Sequence, residues 1–241
     1  MHLVLIPWVI GLIVLAIIGA FIVLFITVCL LEKIHINDFV PATGGEPLAD
    51  TTYFNVMNDT AKRLGFTAAG VFTQSRSSRV YRAQVALWVS PEQNVLMQIC
   101  GGKTAGVPIK RTILSSVLTS NQILQTQDNA STVDLSGLTD QKLLLNADLH
   151  ELVSCHRQRL ESCGDQIRTF SNGTAFSDWD SIRRMKAEQM ARMGLVKFVN
   201  QQETIYRHTF RGAWLQYRQG FRSQLAEAMA QADGNPRKRP G

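Results

Sequence analysis

Residues 80–127 read VYRAQVALWVSPEQNVLMQICGGKTAGVPIKRTILSSVLTSNQILQTQ. Within them Val80–Val89, Asn94–Cys100, Ile109–Leu118 and Ile123–Gln127 are short runs rich in β-branched and aromatic residues, and Phe66–Thr73 is a fifth such run just upstream. Polar clusters at Gln74–Arg79, Ser90–Gln93 and Ser120-Asn121 divide them, which is the pattern of strands punctuated by turns. The separations are too short for the crossover helix that parallel neighbours need, so the spacing predicts an antiparallel meander. Residues 128–141, DNASTVDLSGLTDQ, read as a polar loop that ends it.

Outward from the strands the period changes to that of helices. Upstream, Tyr53, Val56, Met57, Ala61 and Leu64 recur at three- and four-residue steps, predicting a helix over Asp50–Leu64 that Gly65 stops. Downstream, Asp148 and Glu151 stand in capping-box spacing at the start of a helix over Asn146–Cys163, closed by Gly164. Its apolar stripe is Leu145, Leu149, Leu152, His156, Leu160 and Cys163. A loop over residues 165–177 leads to a helix over Asp178–Met193 with Ser177 at its N-cap. A hairpin follows, Leu195–Val199 with Thr204–Phe210, and then a last helix over Gly212–Ala232. The fold class is therefore α+β: an N-terminal transmembrane helix, an antiparallel β-meander packed with helices, and a C-terminal helix–hairpin–helix.

The transmembrane reading rests on Leu3–Leu31, LVLIPWVIGLIVLAIIGAFIVLFITVCLL, which contains no charged residue. About 20 apolar residues cross ~30 Å of hydrocarbon as a helix, and this run is longer. A cleaved signal would have a basic start and a shorter apolar core, so the run reads as an uncleaved signal-anchor. Lys33 follows it and no Lys or Arg precedes it, placing the C-terminal domain in the cytoplasm by the positive-inside rule. Cys100, Cys155 and Cys163 show no disulfide spacing, which agrees with that side. The organisation that results is an anchor over residues 1–33, a linker over 34–49, a soluble α+β domain over 50–232 and a basic tail over 233–241.

The 241 residues carry a net charge of +6, with 45% hydrophobic side chains, a balance that excludes a disordered polyelectrolyte. Residues 32–163 hold 12 basic and 12 acidic side chains and residues 164–241 hold 13 and 7, so the whole excess is C-terminal. Arg211, Arg218 and Arg222 flank the stripe Trp214, Tyr217, Phe221 and Leu225 of the last helix, and Arg237, Lys238 and Arg239 close the chain. These six cations are the candidate contacts to anionic lipid headgroups or to an acidic protein partner.

Other chemistry is thin. Gly102-Lys103-Thr104 ends like a P-loop, but Met97 stands where the first glycine should and no helix follows, so the tripeptide reads as a hairpin turn. His150, Cys155, His156 and Cys163 share a helix, yet the two histidines fall about 120° apart around it, whereas metal-binding pairs stand at i and i+4. No cofactor or metal site is expected. His156, on the apolar stripe, is the one candidate for a catalytic group and reads first as a buried, hydrogen-bonded core residue. Arg183, Arg184, Lys186 and Arg192 precede the hairpin in an order that resembles the recognition helix and wing of winged-helix DNA-binding domains. They scatter around the helix and no second helix precedes it, so nucleic acid is the weaker alternative.

With the single span, the short strands, Asp148-Leu-His-Glu-Leu with His156 and the late Tyr206-Arg-His-Thr-Phe-Arg-Gly-Ala, the chain loosely resembles uncharacterised membrane-anchored bacterial proteins. That resemblance brings no activity. It implies a bacterial inner-membrane protein, here expected to be a non-enzymatic tethered interaction or scaffold module; an enzyme using His156 or a tethered winged-helix regulator are the alternatives.

Overall fold

The computed structural model describes residues 5–36, 38–42, 51–74, 81–104, 107–129, 135, 137–145, 147–202 and 204–218. Helix α1 is Leu5–Leu31, long and apolar enough to cross a membrane, and its outer two thirds touch almost nothing else in the molecule. From Ile22 on, Phe25, Ile26, Val28, Cys29 and Leu30 become half-buried, where α1 meets the domain.

Next in the chain come strands β1 (Ile34–His35) and β2 (Phe39–Pro41), helix α2 (Thr51–Arg63) and strands β3 (Thr67–Gln74), β4 (Tyr81–Val89), β5 (Leu96–Thr104), β6 (Val107–Val117), β7 (Ile123–Gln127) and β8 (Thr139–Leu143). Helices α3 (Leu149–Cys163) and α4 (Ala175–Arg192) and strands β9 (Val196–Phe198) and β10 (Ile205–His208) follow. Residues 210–218 are helical and are labelled α5.

Strands β2 to β8 make a seven-stranded sheet in chain order, β2-β3-β4-β5-β6-β7-β8. The side chains of β4 explain its place in the middle. Val85, Leu87 and Val89 pack on one face with Trp179 and Ile182 of α4, and Ala86 and Trp88 pack on the other with Ala61 of α2 and Leu149 and Leu152 of α3. A strand apolar on both faces must be covered on both, so the sheet is the middle layer of three.

Four expectations need correction. The sheet is not wholly antiparallel: residues 139–141 lie in the expected loop, yet together with Lys142 and Leu143 they form β8, which runs parallel to β7. The backbone holds it there, with Ile123 N–H donating to Leu138 O at 2.7 Å and Leu144 N–H to Gln127 O at 2.9 Å. Its sequence, TDQKL, shows no apolar alternation because an edge strand with mostly open side chains needs none. The expected linker holds β1 and β2, two strands too short to display a period. Helix α4 begins three residues early: Thr174 is its N-cap, and Ser177 donates its hydroxyl to Thr174 O at 2.8 Å. Gly102, Lys103 and Thr104 also lie within β5, with Thr104 opposite Val107, and the turn itself, 105–106, is outside the described residues.

The second sheet has the order β1-β10-β9. Strands β9 and β10 pair antiparallel, Tyr206 opposite Phe198, and β1 adds to the other edge of β10, Ile34 opposite Tyr206. The segment leaving α1 is thus woven into the C-terminal sheet. The remainder of the expected last helix and the tail lie outside the described residues.

Candidate functional site

His156 projects from α3 into the sheet and is wholly buried. The local sequence builds that position twice over, since the capping box closes with both of its hydrogen bonds, Glu151 N–H to Asp148 Oδ1 at 2.9 Å and Asp148 N–H to Glu151 Oε2 at 3.1 Å. Leu149 and Leu152 then seat the same helical face on Leu114. The ring nitrogens meet Ser116 Oγ at 3.1 Å and Thr126 Oγ1 at 2.9 Å. Ser116 gives its one proton to Asn94 O at 2.6 Å, so it accepts from Nε2–H, and Nδ1 accepts from the Thr126 hydroxyl. Thr126 Oγ1 in turn accepts from Arg159 at 3.0 Å.

The ring is therefore neutral with its proton on Nε2. Burial, and secondly the Arg159 charge, push its pKa down to about 3. Both ring nitrogens are thus engaged by hydroxyls of the sheet, the arrangement of a buried, hydrogen-bonded core residue. On the same side of the sheet Tyr53 Oη lies 3.0 Å from Thr112 Oγ1, and Thr112 N–H donates to Asp128 Oδ1 at 2.8 Å. Burial raises the Asp128 carboxyl to about 6.

His150 and Cys155 point the other way. With Glu151, Ser154 and Gln158 they line an open depression on the outer side of α3, away from His156. No group of three or more His, Cys, Asp or Glu side chains among the described residues is placed to hold a metal ion.

The four cations of α4 are engaged within the domain. Arg183 reaches Asp38 at 3.3 Å, Asp180 at 3.5 Å and His35 O at 3.4 Å, and its guanidinium lies over the rings of Phe39 and Trp179 at 4.7 and 4.8 Å. It clasps the segment after α1 to α4. Lys186 donates to Gln125 Oε1 at 2.8 Å, and Gln125 passes the bond on to Ser115 Oγ at 2.9 Å. Burial, with the nearby Arg111 charge, pushes Lys186 down to about 7. Arg184 and Arg192 both pair with Glu188, at 3.1 and 3.9 Å.

The C-terminal candidates are arranged differently. Thr209 caps α5: Gly212 N–H donates to Thr209 Oγ1 at 3.2 Å, while Thr209 N–H and its hydroxyl hold Leu195 O at 3.0 and 3.1 Å. A Cβ at Gly212 would come within 1.9 Å of Leu195 O, so only glycine lets the helix sit on that backbone. From this seat Phe210 and Trp214 are 65% and 46% exposed, Trp214 stacks on Tyr217 at 5.7 Å, and Tyr217 meets Phe25 of α1 at 5.8 Å. Arg211 and Arg218 are exposed. Arg222, Arg237, Lys238 and Arg239 lie outside the described residues.

Sequence reasoning did not find the Arg183 clasp, the buried Lys186 bond or the seat of Gly212. The first two depend on partners 145 and 61 residues away. Gly212 did carry a signal, a glycine in the first turn of an otherwise good helix. Comparison with family models, with curated proteins and with solved structures finds no match for this chain.

Proposed function

We propose that this chain is a single-pass bacterial inner-membrane protein whose cytoplasmic domain is a non-enzymatic tethered interaction or scaffold module. Its basic C-terminal third meets anionic lipid headgroups. The observation that carries the reading is α1: a 27-residue helix without a charged side chain, exposed over most of its described length and continuous with a folded domain. Lys33 supports the cytoplasmic side. The hydrogen bonds that hold His156 and Lys186 within the domain support a structural role for the groups that looked most chemical. The finer architecture proposed for the C-terminal third is a helix–hairpin–helix, in which α4, the β9–β10 pair and the helix from residue 210 act as one unit next to the bilayer.

A tether holds the basic tail within a few nanometres of the surface, where each Lys or Arg contributes about 1 kcal/mol of attraction to anionic lipid. The test uses the full chain in lipid nanodiscs. Trypsin should cut after Arg237 or Lys238 more slowly on anionic than on zwitterionic lipid at low salt. The difference should vanish near 1 M salt, where the Debye length is about 3 Å. Equal rates at low salt would leave the basic third a solvated surface. For the side, a membrane-impermeant thiol reagent should miss Cys155 and Cys163 in intact cells and reach them after lysis.

A further inference from the structure

The contact between Phe25 and Tyr217 ties a helix of the domain to a particular depth of the span. At 1.5 Å per residue, about 20 residues of α1 cross the hydrocarbon. If the near boundary falls at Trp8, the far one falls about residue 28; if it falls at Gly11, the far one falls about residue 31. In either case Phe25 lies three to six residues, roughly 5–9 Å, inside the hydrocarbon edge. The Tyr217 ring, 5.8 Å from Phe25, cannot then stand in bulk water.

The rest of α5 agrees with that depth. At about 100° per residue Phe210, Trp214 and Tyr217 fall within about 60° of one another, a stripe facing the same way as the contact with α1. Arg211 and Arg218 fall about 80–100° to one side, where a long side chain can bury its stem and return its charge to the headgroups. Gly212 and Ala213 are buried against the domain. Seated by its glycine on Leu195, the helix has one attitude, and that attitude leaves two large aromatic side chains open beside an apolar span.

Resting on the reading of α1 as a membrane span, we propose that α5 lies in the bilayer interface. Phe210, Trp214 and Tyr217 enter the boundary between headgroups and acyl chains, and the occupant of the open aromatic face is lipid. This contact differs in kind from attraction of the basic tail. It is apolar, requires no anionic lipid, and fixes the domain against the membrane in one orientation.

The experiment uses the full chain reconstituted in phosphatidylcholine vesicles, with and without lipids brominated near the head of the acyl chain, which quench tryptophan on contact. The chain has four tryptophans, and Trp88 and Trp179 are buried in the domain. In the Trp8→Phe protein, bromolipid should remove the emission carried by one tryptophan of three, at low salt and at about 1 M salt alike. In Trp8→Phe/Trp214→Phe the effect should disappear. Trp214→Phe alone reports on Trp8 and hence on the span. Quenching of Trp8 without quenching of Trp214 would overturn the proposal and leave the span standing, while no quenching of either would overturn the span itself. Quenching of Trp214 that is lost at high salt would also overturn it, because it would mark an electrostatic approach and not insertion.

Discussion

Around His156 every polar atom that reaches the ring is answered by another part of the chain, and the ring is sealed from solvent. Around Trp214 the reverse holds: the capping and backbone contacts are complete, but an aromatic face is left open next to a helix that is itself open. Both regions are built with equal care, and only the second leaves something for another molecule. A histidine on an apolar stripe attracts attention as chemistry, whereas the surface that awaits a partner here is a short helix whose seat depends on one glycine.

The comparison breaks most readily at that seat. Gly212→Ala drives a methyl into the Leu195 carbonyl, and overpacking of this kind should cost about 3 kcal/mol or unseat α5. Urea unfolding of the detergent-solubilised chain measures the first outcome, and loss of bromolipid quenching at Trp214 measures the second. An unchanged protein would mean that α5 does not rest where it is drawn. Next in size is His156→Ala, which takes from the Thr126 hydroxyl its acceptor and from Ser116 Oγ its donor in a buried site and should cost roughly 1–3 kcal/mol. A variant of full stability would show the cluster to be dispensable.

A finer cut comes from pH. The contribution of neutral His156 is complete above its ordinary 6.5 and is lost as pH falls toward about 3, since the unfolded chain takes up the proton first. Asp128 works in the opposite sense. Its raised pKa favours the protonated native state, a contribution complete below 3.8 and lost as pH rises through about 6. Between pH 6 and 4 the two slopes, each at most about 1.4 kcal/mol per unit, oppose one another. His156→Gln should therefore gain stability on acidification in that window, and Asp128→Asn should lose it more steeply than the parent. Parallel curves for all three proteins would refute both assignments. The smallest effect belongs to Arg184→Ala and Arg192→Ala, whose exposed pairs with Glu188 should each be worth less than about 0.5 kcal/mol.

The parts of this fold that were legible are those decided within a dozen residues. The apolar helix α1, α2, the capping box of α3 and the strands from Thr67 to Gln127 follow from period, branching and turn residues that lie side by side. What was not legible is set by distant partners. Ile34–His35 is a strand only because Ile205 and Tyr206 lie beside it, and Thr139–Leu143 only because β7 offers an edge. The burial of His156 could be read from its stripe, but its hydroxyl partners on β6 and β7 could not. The stripe of α5 was visible as a pattern, while the exposure of Trp214 and the contact of Tyr217 with Phe25, nearly two hundred residues earlier, became apparent only in the structure.

The pairing of β1 with β10 also orders events in time. Ile34 emerges from the ribosome just behind α1, but its partner Tyr206 follows only after the whole seven-stranded sheet has been synthesised. Because domains tend to fold as the chain appears, the large sheet can assemble first, with the short segment after α1 still unpaired. Completion then waits for the last stretch of chain to come back to the end of α1, pair alongside the beginning and close the small sheet. A ribosome stalled before residue 205 would hold a largely built domain that is still free to swivel on its stem, and release of the final residues would be the step that locks it down.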